Sequence, residues 1–213
     1  MSTQYTLSLD DHSANLDLVG GKGFSLARLA AAGFPVPDGY HITTHAYKFF
    51  IEKNRLQPRI LEILAEIDVA DSVKLTAAAE EIKTLFSKAE IPAQVANAVV
   101  LAYADLPGSS PAVAVRSSAT TEDLPDASFA GQQETFLNIS GPSALLEATR
   151  NCWASLWTAR AIGYRAKQNI PPEEVSLAVV VQLLIPAEAA GILFSANPIN
   201  GKRDQMVINA SWG

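Results

Sequence analysis

An α+β fold is predicted by three features of this 213-residue chain. Short apolar strand patterns stand near both ends, a motif-free helical block lies between them, and a Pro/Gly-rich break separates the two kinds of pattern.

Taken in order, residues 5–9 alternate weakly as a strand. A glycine cluster, Gly20-Gly21-Lys22-Gly23, precedes Phe24–Ala32, which sets Leu26, Leu29 and Ala30 on one helical face. Gly33 stands where a helix C-cap glycine belongs, and Pro35 and Pro37 prevent continuation. The cluster therefore opens a helix of about two or three turns. Residues 38–43 read as a strand, and Thr44 is placed to cap a helix running to about residue 53. From 58 to 105 the chain reads as three helical segments, with boundaries near Asp71-Ser72 and Ile91-Pro92.

Pro107-Gly108-Ser109-Ser110-Pro111 is the expected boundary between a first lobe, 1–110, and a second, 111–213. Ala112–Arg116 is a short apolar strand ending in a cation. A polar, acidic loop follows from Ser117 to about Gln133, and Glu134–Ile139 returns as a strand. Pro142 opens one long helix to about Lys167, with Leu145, Cys152 and Leu156 on one stripe and Leu146, Trp153 and Trp157 beside it. Residues 175–184 are a nearly unbroken apolar run suited to a covered sheet. Strands at 191–195 and 206–209 complete the pattern. The end at Ser211-Trp212-Gly213, directly after a strand, is expected to be that of a fragment.

Composition narrows the chemistry. With 16 basic and 22 acidic residues the formal charge is −6. Nonspecific nucleic-acid binding needs a basic surface to displace counterions, so no nucleic-acid partner is expected. An anionic ligand must be met by a few placed cations. No apolar run approaches the ~20 residues of a membrane span, and the N-terminus lacks the blocks of a signal peptide. A cytoplasmic protein without a membrane partner is expected. Cys152 is the only cysteine, which rules out an internal disulfide. Beside Trp153 in a helical pattern it reads as a buried structural thiol. His12, His41 and His45 share no metal-ligand spacing, and Glu122, Asp123 and Asp126 read as a solvated acidic loop, so no metal site is expected within the chain.

Two stretches are candidates for chemistry. A helix start rich in glycine offers backbone N–H groups and a partial positive charge to a phosphate, and Lys22 adds a point charge. The stretch is not a Walker A loop, since Leu16 and Gly23 occupy positions where that pattern wants Gly and Ser or Thr; Leu26 breaks G-x-G-x-x-G. On spacing alone it reads as a phosphate-binding helix start or as a glycine turn with a surface lysine. In the second stretch, Arg116 at a strand end is followed by hydroxyls, which suits bidentate contact with phosphate. Residues 128–133 follow as a small-residue loop able to fold over a ligand. The other reading pairs Arg116 with Glu122 or Asp123.

Three runs carry a resemblance: Gly21-Lys22-Gly23 through Pro35-Val36-Pro37-Asp38-Gly39-Tyr40; the stretch 114–138, opening Ala114-Val115-Arg116-Ser117-Ser118-Ala119-Thr120-Thr121-Glu122-Asp123; and Gly191-Ile192-Leu193-Phe194-Ser195-Ala196-Asn197-Pro198. Together they resemble the ATP-binding domain of the phosphoenolpyruvate synthase family, whose relatives include pyruvate, phosphate dikinase and rifampicin phosphotransferase. The resemblance covers nearly the whole chain outside 58–105. It implies an ATP-grasp-like α+β fold of two lobes with a mixed or antiparallel sheet. It also implies a reaction in which ATP passes its β-phosphate to a histidine on a swivelling domain. The phosphohistidine then phosphorylates an acceptor, pyruvate in the synthases or a rifamycin hydroxyl in the antibiotic enzyme, and AMP and orthophosphate leave. By position, Lys22 and Arg116 are the implied catalytic, phosphate-holding residues. Gly131 and Thr135 are implied lid-side nucleotide contacts, and Gln182 a contact near the adenine.

The family's later ATP-grasp segment, with its metal-binding glutamate and glutamine and a further arginine, has no counterpart here, and neither does its phosphohistidine domain or its acceptor domain. ATP with Mg2+ is the expected ligand, with the metal's ligands beyond Gly213. The chain is expected to be the nucleotide portion of a pyruvate, water dikinase-like phosphotransferase, catalytically incomplete alone. The alternatives are a rifampicin phosphotransferase and a free-standing, non-catalytic nucleotide-binding module.

Overall fold

The computed structural model describes residues 4–65, 67–69, 71–120 and 134–212. The elements run β1 (Thr6–Ser8), α1 (Leu16–Ala31), β2 (Gly39–Ile42), α2 (Thr44–Lys53), α3 (Leu56–Ala65), α4 (Ser72–Lys88), α5 (Ala93–Ala104), β3 (Val113–Ala119), β4 (Thr135–Ile139), α6 (Pro142–Ser155), α7 (Ala159–Lys167), β5 (Leu177–Leu183), β6 (Ala189–Phe194) and β7 (Val207–Trp212). Five strands form an antiparallel sheet in the order β1-β2-β5-β3-β4. The α+β reading holds.

β5 lies at the centre because its sequence, LAVVVQL, offers apolar side chains to both faces, and its first six residues are buried. One face carries Val179 and Val181 of β5 with Val113 and Val115 of β3, packed under Leu145, Cys152 and Trp153 of α6. The other face carries Ala178 and Val180, and α1 crosses it against β3 and β5. β1 and β2 precede the Pro107–Pro111 break and β3 to β5 follow it, so the β2–β5 pairing joins both halves of the chain in one sheet. β6 and β7 form a separate two-stranded sheet with both faces exposed.

Local sequence explains most boundaries. Gly33, at φ +76°, ends α1: its amide bonds the Ala30 carbonyl and that of Phe34 bonds the Leu29 carbonyl. Asp71 caps α4 by accepting from the Val73 and Lys74 amides. The segments α3, α4 and α5 fall at the expected boundaries.

Three expectations change. Thr44 is the first helical residue of α2, and Thr43 takes the N-cap position. Both hydroxyls bond elsewhere, Thr43 to the Gln4 carbonyl and Thr44 to that of Asp17. The expected helix from Pro142 to Lys167 is two helices, because Thr158 accepts from the Ala161 amide at 3.3 Å and starts α7 afresh. Ser117, Ser118 and Ala119 belong to β3 and not to a loop, since they pair with Val179, Ala178 and Leu177 of β5.

Candidate functional site

α1 is not a single straight helix. It begins at Leu16 under an Asn15 cap, breaks at Gly20 (φ 68°, ψ 177°) and restarts at Gly21. Lys22 therefore sits in the first turn of the restarted segment, where the helix end carries partial positive charge. The glycines have a packing cause. A Cβ on Gly20 would lie 2.2 Å from the Ser118 carbonyl oxygen, and one on Gly23 would meet Val19 at 3.0 Å and His41 Nδ1 at 3.1 Å. Gly20, Gly21 and Gly23 are buried, and Gly20 and Gly23 bring α1 down onto the sheet.

Ser118 ties the restart to β3. Its hydroxyl accepts from the Gly23 amide at 3.0 Å and donates to the Val19 carbonyl at 2.7 Å, both buried. Arg116 stands two residues earlier on β3, hence on the same face as Ser118, and is half-buried. Thr135 of β4 is the direct partner of Arg116 across the ladder and is exposed. Glu134, next along, accepts from the Ser117 amide at 3.1 Å and the Ser117 hydroxyl at 3.2 Å through its backbone carbonyl.

Gln182 lies two residues from Val180, the β5 partner of Arg116, and so shares that face. Its Nε2 donates to the Pro37 carbonyl at 3.2 Å, tying β5 to the connection between α1 and β2. Lys22, Arg116, Thr135 and Gln182 are thus arranged around one face of the sheet. Gly131 lies outside the described residues, as do the acidic cluster Glu122, Asp123 and Asp126 and most of the expected lid loop.

The sequence did not single out Ser118 or His41 as parts of this region. His41 is the β2 partner of Val180, fully buried beside Gly23, and burial lowers its pKa to about 4 against the opposing effects of the Leu9 backbone and Asp11. His12 and His45 are exposed. Cys152 is buried and donates to the Val115 carbonyl at 3.7 Å; burial, and then the Glu134 charge, push its thiol upward, with Lys22 acting in the other direction. Among the described residues no group of three or more His, Cys, Asp or Glu is set to hold a metal, and no helix is long and apolar enough to cross a membrane.

An α+β domain in which a helix start with a lysine is bonded to a strand bearing an arginine has the makings of an anion-binding site. The family model for the pyruvate phosphate dikinase AMP/ATP-binding domain matches residues 16–213, and the chain belongs to that family. It is 40% identical to phosphoenolpyruvate synthase of Pyrococcus furiosus, over 93% of this chain and 29% of that protein. It is 44% identical to a probable phosphoenolpyruvate synthase of Methanocaldococcus jannaschii, over 100% of this chain and 18% of that protein. The phosphoenolpyruvate synthase of Aeropyrum pernix is 42% identical, over 100% of this chain and 27% of its own length. The chain thus spans less than a third of each of these relatives.

Proposed function

We propose that the chain is the ATP-binding portion of a dikinase-type phosphotransferase, with the halves 1–110 and 111–213 each contributing one cation, Lys22 and Arg116, to the ATP phosphates. The observation that carries this reading is the pair of Ser118 hydrogen bonds, which attach the helix restart bearing Lys22 to the strand bearing Arg116. Phosphoryl transfer asks little covalent chemistry of the protein and much positioning and charge neutralisation. Thr135 and Gly131 are assigned to the lid side of the nucleotide and Gln182 to the adenine side.

In this reading ATP phosphorylates a histidine on a swivelling domain of a longer polypeptide, and pyruvate then receives the phosphoryl group, giving phosphoenolpyruvate, AMP and phosphate. The names of the three relatives favour pyruvate over a rifamycin hydroxyl, and an enzyme over a free-standing binding module. Mg2+ belongs with the ATP; this chain's described residues offer it no cluster, and no step is assigned to it. The assigned compartment is the cytoplasm.

The test is made in the polypeptide that contains this chain. Lys22→Ala and Arg116→Ala are each expected to weaken ATP binding by about tenfold to a hundredfold, the worth of one charge-assisted hydrogen bond, with an unchanged circular dichroism spectrum. ATP-dependent histidine phosphorylation is expected to be lost. Wild-type affinity and phosphorylation in either variant would overturn the assignment.

A further inference from the structure

A row of cross-strand partners runs through the candidate site. Leu7 of β1, His41 of β2, Val180 of β5, Arg116 of β3 and Thr135 of β4 are successive neighbours in register, so their side chains stand on one face of the sheet. Neighbouring strands lie about 4.8 Å apart, which puts His41 about 10 Å from Arg116. α1 rests on the same row, since a Cβ on Gly23, the residue after Lys22, would lie 3.1 Å from His41 Nδ1. His41 is fully buried there, and neither ring nitrogen has a hydrogen-bond partner among the described residues. The charged groups around it are Asp11, from the connection between β1 and α1, Lys22 of α1 and Arg116 of β3; β1 and β5 present Leu7 and Val180 to it. α5 packs on the other face of β2, where the Tyr40 hydroxyl donates to the Val99 carbonyl.

We propose that His41 is a proton-linked part of the ATP site: its imidazole takes up a proton when the nucleotide phosphates bind between Lys22 and Arg116, and releases it when they leave. This rests on the ATP reading above and adds a proton to its binding equilibrium. In the empty site burial keeps the ring neutral, with a pKa of about 4 against the opposing effects of the Leu9 backbone and Asp11. Lys22 and Arg116 are present in both states, so what binding adds is the negative charge of the nucleotide, which one divalent cation does not cancel. Phosphates held by Arg116 lie at about its distance from His41, and one added negative charge there raises the imidazole pKa to about 5. Protein closing over the nucleotide adds no opposing desolvation, because the ring is already fully buried. Linkage then requires that proton uptake and tighter binding go together as pH falls towards 5.

ATP with Mg2+ is the probe, titrated calorimetrically into the polypeptide that contains this chain at pH 7.5 and pH 5.0. Each titration is run in two buffers of different ionisation heat, which converts the heat difference into protons exchanged. His41→Leu is the comparison, and protonation of the nucleotide itself, common to both proteins, cancels in the difference. At pH 5.0 the wild type is expected to take up about 0.4 proton more than the variant, as a pKa moving from about 4 to about 5 requires. At pH 7.5 the two proton counts are expected to agree, and between the two pH values the wild-type affinity is expected to gain about twofold on that of the variant. A role confined to packing under Gly23 would change affinity alike at both pH values and leave the proton counts equal. His41→Gln, neutral and polar, decides the matter if His41→Leu does not fold. Equal proton counts at pH 5.0, with ATP bound by both proteins, would overturn this inference alone. No ATP binding by the wild type at pH 7.5 would overturn the functional reading and this inference with it.

Discussion

The Ser118 hydroxyl of β3 stands between the Gly23 amide and the Val19 carbonyl, accepting from the first at 3.0 Å and donating to the second at 2.7 Å. In an unbroken helix those two groups would bond each other as the i, i−4 pair. A side chain inserted into the helical ladder is a known cause of kinks, and here it comes from 95 residues away. Ser118→Ala would leave two buried backbone groups unpaired, at an expected cost of about 2–4 kcal/mol. Urea denaturation measures this, and a loss of about 0.5 kcal/mol or less would show that the clamp is dispensable. Because Lys22 adjoins Gly23, ATP affinity is expected to fall in the same variant.

Gly20 makes a separate prediction. Its φ of 68° with ψ of 177° is a conformation that side chains avoid, and a Cβ there would lie 2.2 Å from a backbone oxygen of Ser118. Gly33 also has positive φ, but open space surrounds the position of its missing Cβ. Gly33→Ala is therefore expected to cost about 1–2 kcal/mol. Gly20→Ala should cost more than about 3 kcal/mol or prevent folding. Parallel denaturation curves check the contrast, and similar costs at the two sites would refute the packing role given to Gly20.

Much of this architecture was legible in the sequence for reasons that the structure makes plain. Strand β5 was legible because burial on both faces leaves an unbroken apolar run, and the end of α1 because Gly33 and the two prolines act within a few residues. What stayed hidden was long-range. Nothing near Thr158 outweighs the apolar stripe that runs past it, so the break between α6 and α7 read as continuous helix. Ser118 resembles any hydroxyl in a polar loop until pairing with Ala178 turns it toward α1. Lys22 and Arg116 were visible as cations in suggestive settings and were joined by the family resemblance alone, whereas the Ser118 contacts that tie α1 to β3 span 95 and 99 residues and left no local trace.

His41 predicts a pH dependence of stability. Its pKa is about 4 in the folded chain against 6.5 ordinarily, so between those values the unfolded chain binds the additional proton. Stability then rises with pH across the window, being complete above about 6.5 and lost progressively as pH falls towards 4. The depression corresponds to about 3 kcal/mol. Urea unfolding free energies at pH 7.5, 5.5 and 4.5 are expected to decline, and His41→Leu should flatten much of that slope. An unchanged slope in the variant would place the dependence on other groups.

The β6–β7 hairpin is expected to be the least protected part of the sheet structure. Leu193, Ile208 and Trp212 share one face and are 58%, 68% and 86% exposed, while Ile192 and Phe194 on the opposite face are 60% and 42% exposed. A two-stranded ribbon that buries neither face is marginally stable in water. Its hydrogen bonds therefore open without waiting for the core to unfold, whereas those of β5, flanked by β2 and β3 and covered on both faces, open only with it. In hydrogen-exchange mass spectrometry of the chain, peptides within 189–212 should exchange at least about a hundredfold faster than those within 177–183. Equal protection would mean that the hairpin is held by contacts as extensive as those around β5, and its exposed apolar residues would then have to be covered in solution.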